Sequence, residues 1–154
     1  MRPIDALLDQ YSDDHRNHTN QVIHLLCVPA IVWSVTALLW TIPVPPGWFR
    51  PGAFAGFAMV AALAWYWRLS PRLWVGITIA FIAFAWIDHS IAARLGMRGL
   101  LWTAITVFVV AWLGQFYGHK VEGKRPSFFT DLKFLLVGPM WTLRKLYQRM
   151  GLSY

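Results

Sequence analysis

Uncharged, mainly apolar runs cover Leu25 to Ile42, Gly52 to Trp67, Leu73 to Ile87 and Gly99 to Gly118. Runs approaching 20 residues fit helices that cross a bilayer. The intervals between them are polar or rich in proline: Pro43, Pro45, Pro46 and Pro51, then Arg68, Ser70, Pro71 and Arg72, then Asp88, His89, Arg94 and Arg98. Such residues punctuate helices, so the pattern predicts an all-α integral membrane bundle of about four transmembrane helices. Beyond the fourth run, Phe128, Leu132, Leu135 and Leu136 form an amphipathic stretch that ends at Gly138 and Pro139. A short, proline-broken helix of this kind lies in the membrane interface, here anchored by Trp141, Arg144, Lys145 and Arg149. The expected organisation is one domain over 1–154: a polar, histidine-bearing segment 1–24, a bundle 25–118 and a basic segment 119–154.

Composition strengthens this reading. Charged residues make up 14% of the chain against about 25% in soluble domains, and the mean hydropathy is +0.45. A disordered chain and a coiled coil are excluded, and a soluble enzyme fold is disfavoured. The net charge of +7 falls beside apolar segments, which points to lipid headgroups and away from nucleic acid. Seven Lys or Arg follow residue 118, so the positive-inside rule places the C-terminus in the cytoplasm, and four spans return the N-terminus to the same side. A bacterial inner membrane is the expected location. The first 24 residues contain no apolar core, so no cleavable signal peptide is expected. The single cysteine, Cys27, reads as a buried small hydrophobe. Gly52/Gly56 and Gly114/Gly118 are spaced for close helix approach.

Against so apolar a background the five histidines, His15, His18, His24, His89 and His119, are the candidate chemistry, because ionisable groups at a membrane boundary are costly. At about 100° per residue, Asn17, Asn20 and His24 share one helical stripe, while His15 would point away. If His15 and His24 bind the same partner, the helix must begin after His15, and Asn17 is a suitable N-cap. Gln115, His119 and Glu122 share another face, at i, i+4 and i+7. Glu122 can be a carboxylate ligand, can orient the imidazole, or can pair with Lys120, Lys124 or Arg125 on a solvated face. Histidines with a carboxylate suit Fe(II), and also Zn, Mn or Cu. Topology sets His89 toward the opposite membrane face, and His18 shares no face with His24.

Tyr11-x-x-x-His15-x-Asn17-x-x-Asn20-x-x-x-His24-x-x-x-x-Pro29, together with Gln115-Phe116-x-Gly118-His119-x-x-Glu122-Gly123-Lys124-Arg125-Pro126, then Asp131 and Leu135-Leu136-Val137-Gly138-Pro139, resembles the membrane family of 2-hydroxy fatty acid dioxygenases over nearly the whole chain. The block from Gly118 to Pro126 is the most specific part. The resemblance implies a non-haem Fe(II) enzyme of fatty-acid α-oxidation that uses O2 to shorten a 2-hydroxy fatty acid by one carbon. It implies metal binding by His15, His24 and His119, and it raises the weight on His89, because Ile87-Asp88-His89 also resembles a family segment. Asn17, Asn20, Gln115, Glu122, Lys124 and Arg125 then support the metal or the substrate carboxylate, and the acyl tail lies between spans, entered sideways from the bilayer. His18 departs from the family, where a proline is common, and the spacing around Glu122 varies among members. Two other classes fit the same residues: a bis-histidine haem protein and a non-enzymatic membrane scaffold. Transport is disfavoured by the absence of an inverted repeat, and a histidine-rich di-iron enzyme by the small number of histidines.

Overall fold

The computed structural model describes residues 3–123, 125 and 134–154. Among them every regular element is helical: α1 (Pro3–Asp13), α2 (His18–Trp40), α3 (Ala53–Leu69), α4 (Pro71–Glu122) and α5 (Phe134–Arg149). Helices α2 and α4 are long and apolar enough to cross a membrane, and α3 is apolar but shorter, at 17 residues. Phe57, Val60, Ile79, Ile82, Trp86 and Val110 all point outward and are exposed. Soluble monomers rarely keep so much apolar surface facing water, and together these features indicate membrane association.

The N-terminal segment is not simply a polar approach. Ile4, Leu7, Leu8 and Tyr11 recur at i, i+3, i+4 and i+7, which makes α1 amphipathic, and Ile4 and Leu8 are fully buried. They pack with Phe134, Val137, Met140 and Trp141 of α5. Trp141 Nε1 donates to Ser12 Oγ at 2.9 Å, and Arg144 pairs with Asp9 at 2.9 Å. Helix α5 is therefore docked on the bundle. It also continues through Gly138 and Pro139, where the sequence predicts a break. Pro139 removes one donor from the helical ladder, and packing against α1 holds the helix together across it. Phe128 and Leu132 of the predicted amphipathic stretch lie outside the described residues.

The third and fourth predicted spans form one element of 52 residues with a single non-helical position, Gly96 (φ 71°, ψ 174°). The limbs on either side, 71–95 and 97–122, fold back on each other. The first starts beside α5, where Gly76 faces Leu143 and Tyr147, and reaches Thr36 of α2 at Asp88. The second leaves from Leu100 and Ala104, packed on Ala37, and returns to His24 at His119. The polar interval from Asp88 to Arg98 is thus helix turned at one residue. This backbone conformation is open essentially to glycine alone. Gly96→Ala is expected to cost about 1–3 kcal/mol, read as a lower Tm in detergent. Gly56→Ala, in a regular helix with nothing within 4 Å of the added Cβ, should instead raise Tm slightly, since alanine is favoured over glycine inside a helix by about 0.5–1 kcal/mol.

The two glycine pairs behave differently. A Cβ on Gly114 would lie 2.7 Å from Cys27 Sγ, and one on Gly118 would collide with Asn20 Oδ1, so this pair lets the second limb of α4 close on α2. Cys27 is half-buried in that seam. Gly52 instead sits at φ 88° as the N-cap of α3, against the Trp40 ring, while Gly56 faces open space. Gly52 meets Trp40 at one end, and Tyr66 shares a cavity lining with His24 and Val28 at the other, so α3 runs antiparallel to α2.

Candidate metal centre

α1 ends at Asp13 and α2 begins at His18, leaving His15 in the turn between them. The turn is held by the local sequence. Asn17 caps α2, its side-chain oxygen accepting from Thr19 N and Asn20 N, and Gln21 Nε2 donates to the His15 carbonyl at 2.8 Å. The helix does begin after His15, and this start frees the imidazole of His15 to swing back toward His24.

The three histidines His15, His24 and His119 are 1%, 1% and 5% exposed, and one ring nitrogen from each lies within 4.8 Å of the others. His15 Nδ1 is 2.6 Å from the Tyr11 carbonyl, and His24 Nδ1 is 2.9 Å from the Asn20 carbonyl. A carbonyl only accepts, so both Nδ1 atoms carry the proton and donate. The two Nε2 atoms, 3.0 Å apart, then face each other, and in neutral imidazoles both present lone pairs. Two such acceptors repel unless a proton or a metal ion stands between them, and a backbone carbonyl on Nδ1 is one of the ways a metal-binding histidine is oriented. Two imidazoles each about 2.1 Å from one ion, at tetrahedral or octahedral angles, have nitrogens about 3.0–3.4 Å apart. The donor set suits a transition metal, the spacing of the His15–His24 pair fits one ion, and His119 stands beside the pair as a third donor.

Aromatic rings enclose the triad. Tyr11 stacks on His15 at 4.2 Å between centroids, and Trp141 lies 5.5 Å from His15. Burial, and then the nearby Asp14, raise the Tyr11 hydroxyl above its ordinary range, so it stays a neutral phenol. A Cβ on Gly138 would come within 3.2 Å of that hydroxyl; glycine here lets α5 close over the site.

Glu122 takes another place than that of a ligand. Its carboxylate accepts from Arg16 N at 3.0 Å, Asn17 N at 2.9 Å and Asn20 Nδ2 at 3.0 Å. An anion is stabilised by the unpaired amides at a helix N-terminus, and this one joins the end of α4 to the start of α2. Asn17 and Asn20 thus work on the backbone and on Glu122. Gln115, one turn before His119, is buried and lines a cavity beside the triad.

His89 is exposed. Its neighbour Asp88 meets Thr36, twelve residues and about 18 Å along α2 from His24, so the fold does not bring His89 to the triad. His18 is exposed at the start of α2, and Arg125 is exposed. Lys124 lies outside the described residues. In the sequence Tyr66 carries no role, Tyr11 only a place in the resemblance motif, and Trp141 the role of an interfacial anchor in place of a wall of the site. The spacing of Tyr11 four residues before His15 was a usable signal, whereas Trp141 and Tyr66 reach the site from distant helices.

The cavity holds about 210 Å³. His24, His119 and Gln115 lie at its head, and the apolar residues Val28, Val32, Val35 and Leu39 follow along α2. Three buried histidines that could hold a metal ion stand at the head of an apolar slot, in a helical membrane-associated chain. The chain belongs to the family described as "2-hydroxy-palmitic acid dioxygenase Mpo1-like", which matches residues 1–150. It is 23% identical over 145 residues to the 2-hydroxy-palmitic acid dioxygenase of Saccharomyces cerevisiae, covering 92% of this chain and 78% of the yeast protein. No solved structure matches it.

Proposed function

We propose that this protein is an Fe(II)-dependent dioxygenase that shortens 2-hydroxy fatty acids by one carbon, with O2 as oxidant, at the membrane boundary. The observation that carries the reading is the pair of Nε2 atoms of His15 and His24, 3.0 Å apart beside His119, at the head of an apolar cavity. The family and the name of the yeast relative supply the substrate class. Fe(II) held by the three imidazoles would supply activation of O2 and a chelating partner for the carboxylate and hydroxyl of a 2-hydroxy acid.

The chain's own groups bind and orient. The Tyr11 and Asn20 carbonyls fix the His15 and His24 rings so that both Nε2 atoms face the centre. Gln115, on the cavity wall, offers an amide N–H to the substrate's polar head. Tyr11 and Trp141 close the site against water, which strengthens electrostatic interactions there. Lys124 and Arg125 add positive charge after α4 to attract the carboxylate, and membrane lipid and O2 complete the partners. Four crossings by α2, α3 and the two limbs of α4 put both termini on the cytoplasmic side of a bacterial inner membrane.

A haem between His15 and His24 would require their nitrogens about 4 Å apart on opposite faces of a macrocycle. The 3.0 Å gap and the third histidine beside it favour a single small ion. The test is elemental analysis of protein purified in detergent without air, followed by incubation with a 2-hydroxy fatty acid and O2. Near-stoichiometric iron and a product one carbon shorter are expected. Protein that stays metal-free after reconstitution with Fe(II) would overturn the reading in favour of the scaffold.

A further inference from the structure

We infer that the acyl tail of the substrate lies in the slot between α2 and α3, and that Ala58 and Ala62 of α3 set how long a tail it takes. The inference rests on the proposed dioxygenase reading for the identity of the polar head, but its geometry is independent of the metal. Below His24 and His119 the cavity wall is apolar and follows α2 through Val28, Val32, Val35 and Leu39. From His24 to Leu39 is fifteen residues, about 22 Å of helix. An extended alkyl chain advances about 1.25 Å per carbon, given bonds of about 1.5 Å, so the slot matches a tail of about 16–18 carbons.

The opposite wall comes from α3. With Gly52 against Trp40 and the helices antiparallel, Ala58 stands level with residue 34 and Ala62 level with residue 30. These levels are about 15 Å and 9 Å from His24 along α2, or about 12 and 7 carbons into the tail. Ala58 and Ala62 both line the cavity, one turn apart, and their small side chains leave its width open. Val35 and Ala58 line the cavity and are also exposed, so the slot opens sideways between α2 and α3 onto the apolar exterior. A lipid-dissolved chain enters there without crossing the polar end of the molecule.

The test uses the purified protein and radiolabelled 2-hydroxy acids from about 8 to about 20 carbons, spanning the length of the slot, with scintillation-proximity binding and turnover measured side by side. Ala62→Phe is expected to lower both readouts on the 16-carbon acid at least about tenfold, the scale of overpacking a filled site, and to leave the 8-carbon acid within about twofold. Ala58→Phe should spare acids up to about 12 carbons and reduce longer ones. Ala61→Phe, on the exposed side of the same helix and outside the cavity lining, should change nothing. If Ala62→Phe does not fold, Ala62→Leu fills the same position. Turnover by the wild type, with variant length profiles superimposable on it, overturns the tail site and leaves the dioxygenase reading standing. Length-dependent loss of binding in a protein that turns over none of the acids keeps the tail site and removes that reading.

Discussion

Replacing His24 by alanine should abolish metal retention, taking bound iron from near one per chain to background. His24 is fixed from both sides: its Nδ1–H is held by the Asn20 carbonyl and its Nε2 faces His15 Nε2 at 3.0 Å. Loss of a group that only orients a ligand typically weakens metal binding 10- to 100-fold, so loss of a ligand among three should exceed about 100-fold. Added Fe(II) should stabilise the wild type by about 4 kcal/mol at a thousandfold excess over Kd and leave His24→Ala unmoved. The same outcome is expected for His15→Ala and His119→Ala, whereas His89→Ala, exposed and about 18 Å away along the bundle, should bind as the wild type does. A His24→Ala protein that keeps its iron, and still gains thermal stability from it, would remove the triad as the metal site.

Glu122→Ala should lower stability by about 2–3 kcal/mol and loosen the metal. Three donors converge on this carboxylate from Arg16, Asn17 and Asn20, and hydrogen bonds to a charged group contribute about 1.5–3 kcal/mol. The removal also frees the turn carrying His15 from α4, so the loss should appear in metal affinity as well as in Tm, although Glu122 is modest in burial and distinct from the triad. Glu122→Gln keeps an acceptor oxygen but no charge and should fall between the two. Parallel measurements of Tm and of iron retained during dialysis separate the effects. If Tm drops while iron affinity stays constant, Glu122 serves the helix junction alone.

Much of the site was legible in the chain. Asn17, Asn20 and His24 share a stripe because helical periodicity is a local property, and the need for α2 to begin after His15 follows from the same arithmetic. The sequence also marked Gly114 and Gly118 as a close-packing pair, since a Cβ-free face has few other uses in an apolar helix. Two local readings failed where tertiary contacts outweighed propensity. Gly138 and Pro139 predicted a helix end, yet α5 runs through them because Phe134, Val137, Met140 and Trp141 are buried against α1. The N-terminal segment reads as polar and without an apolar core, yet Ile4, Leu8 and Tyr11 are buried with Leu7 packed beside them.

The sequence by itself determined that the chain is helical and that it is too apolar to face water all round, and it singled out the histidines as candidates for the site. These follow from composition and from spacings within a few residues, where chain geometry leaves little freedom. Only the tertiary structure decided that His15 and His24 meet nitrogen to nitrogen with His119 beside them, and that His89 stays apart. It also decided that Glu122 binds backbone amides, and that Trp141 and Tyr11 close the site. Those contacts join residues as far apart in the chain as His15 and Trp141. Their separation is set by where helices cross and turn, here at Gly96 and along the Gly114/Gly118 seam, and no local pattern specifies a distance across such a fold.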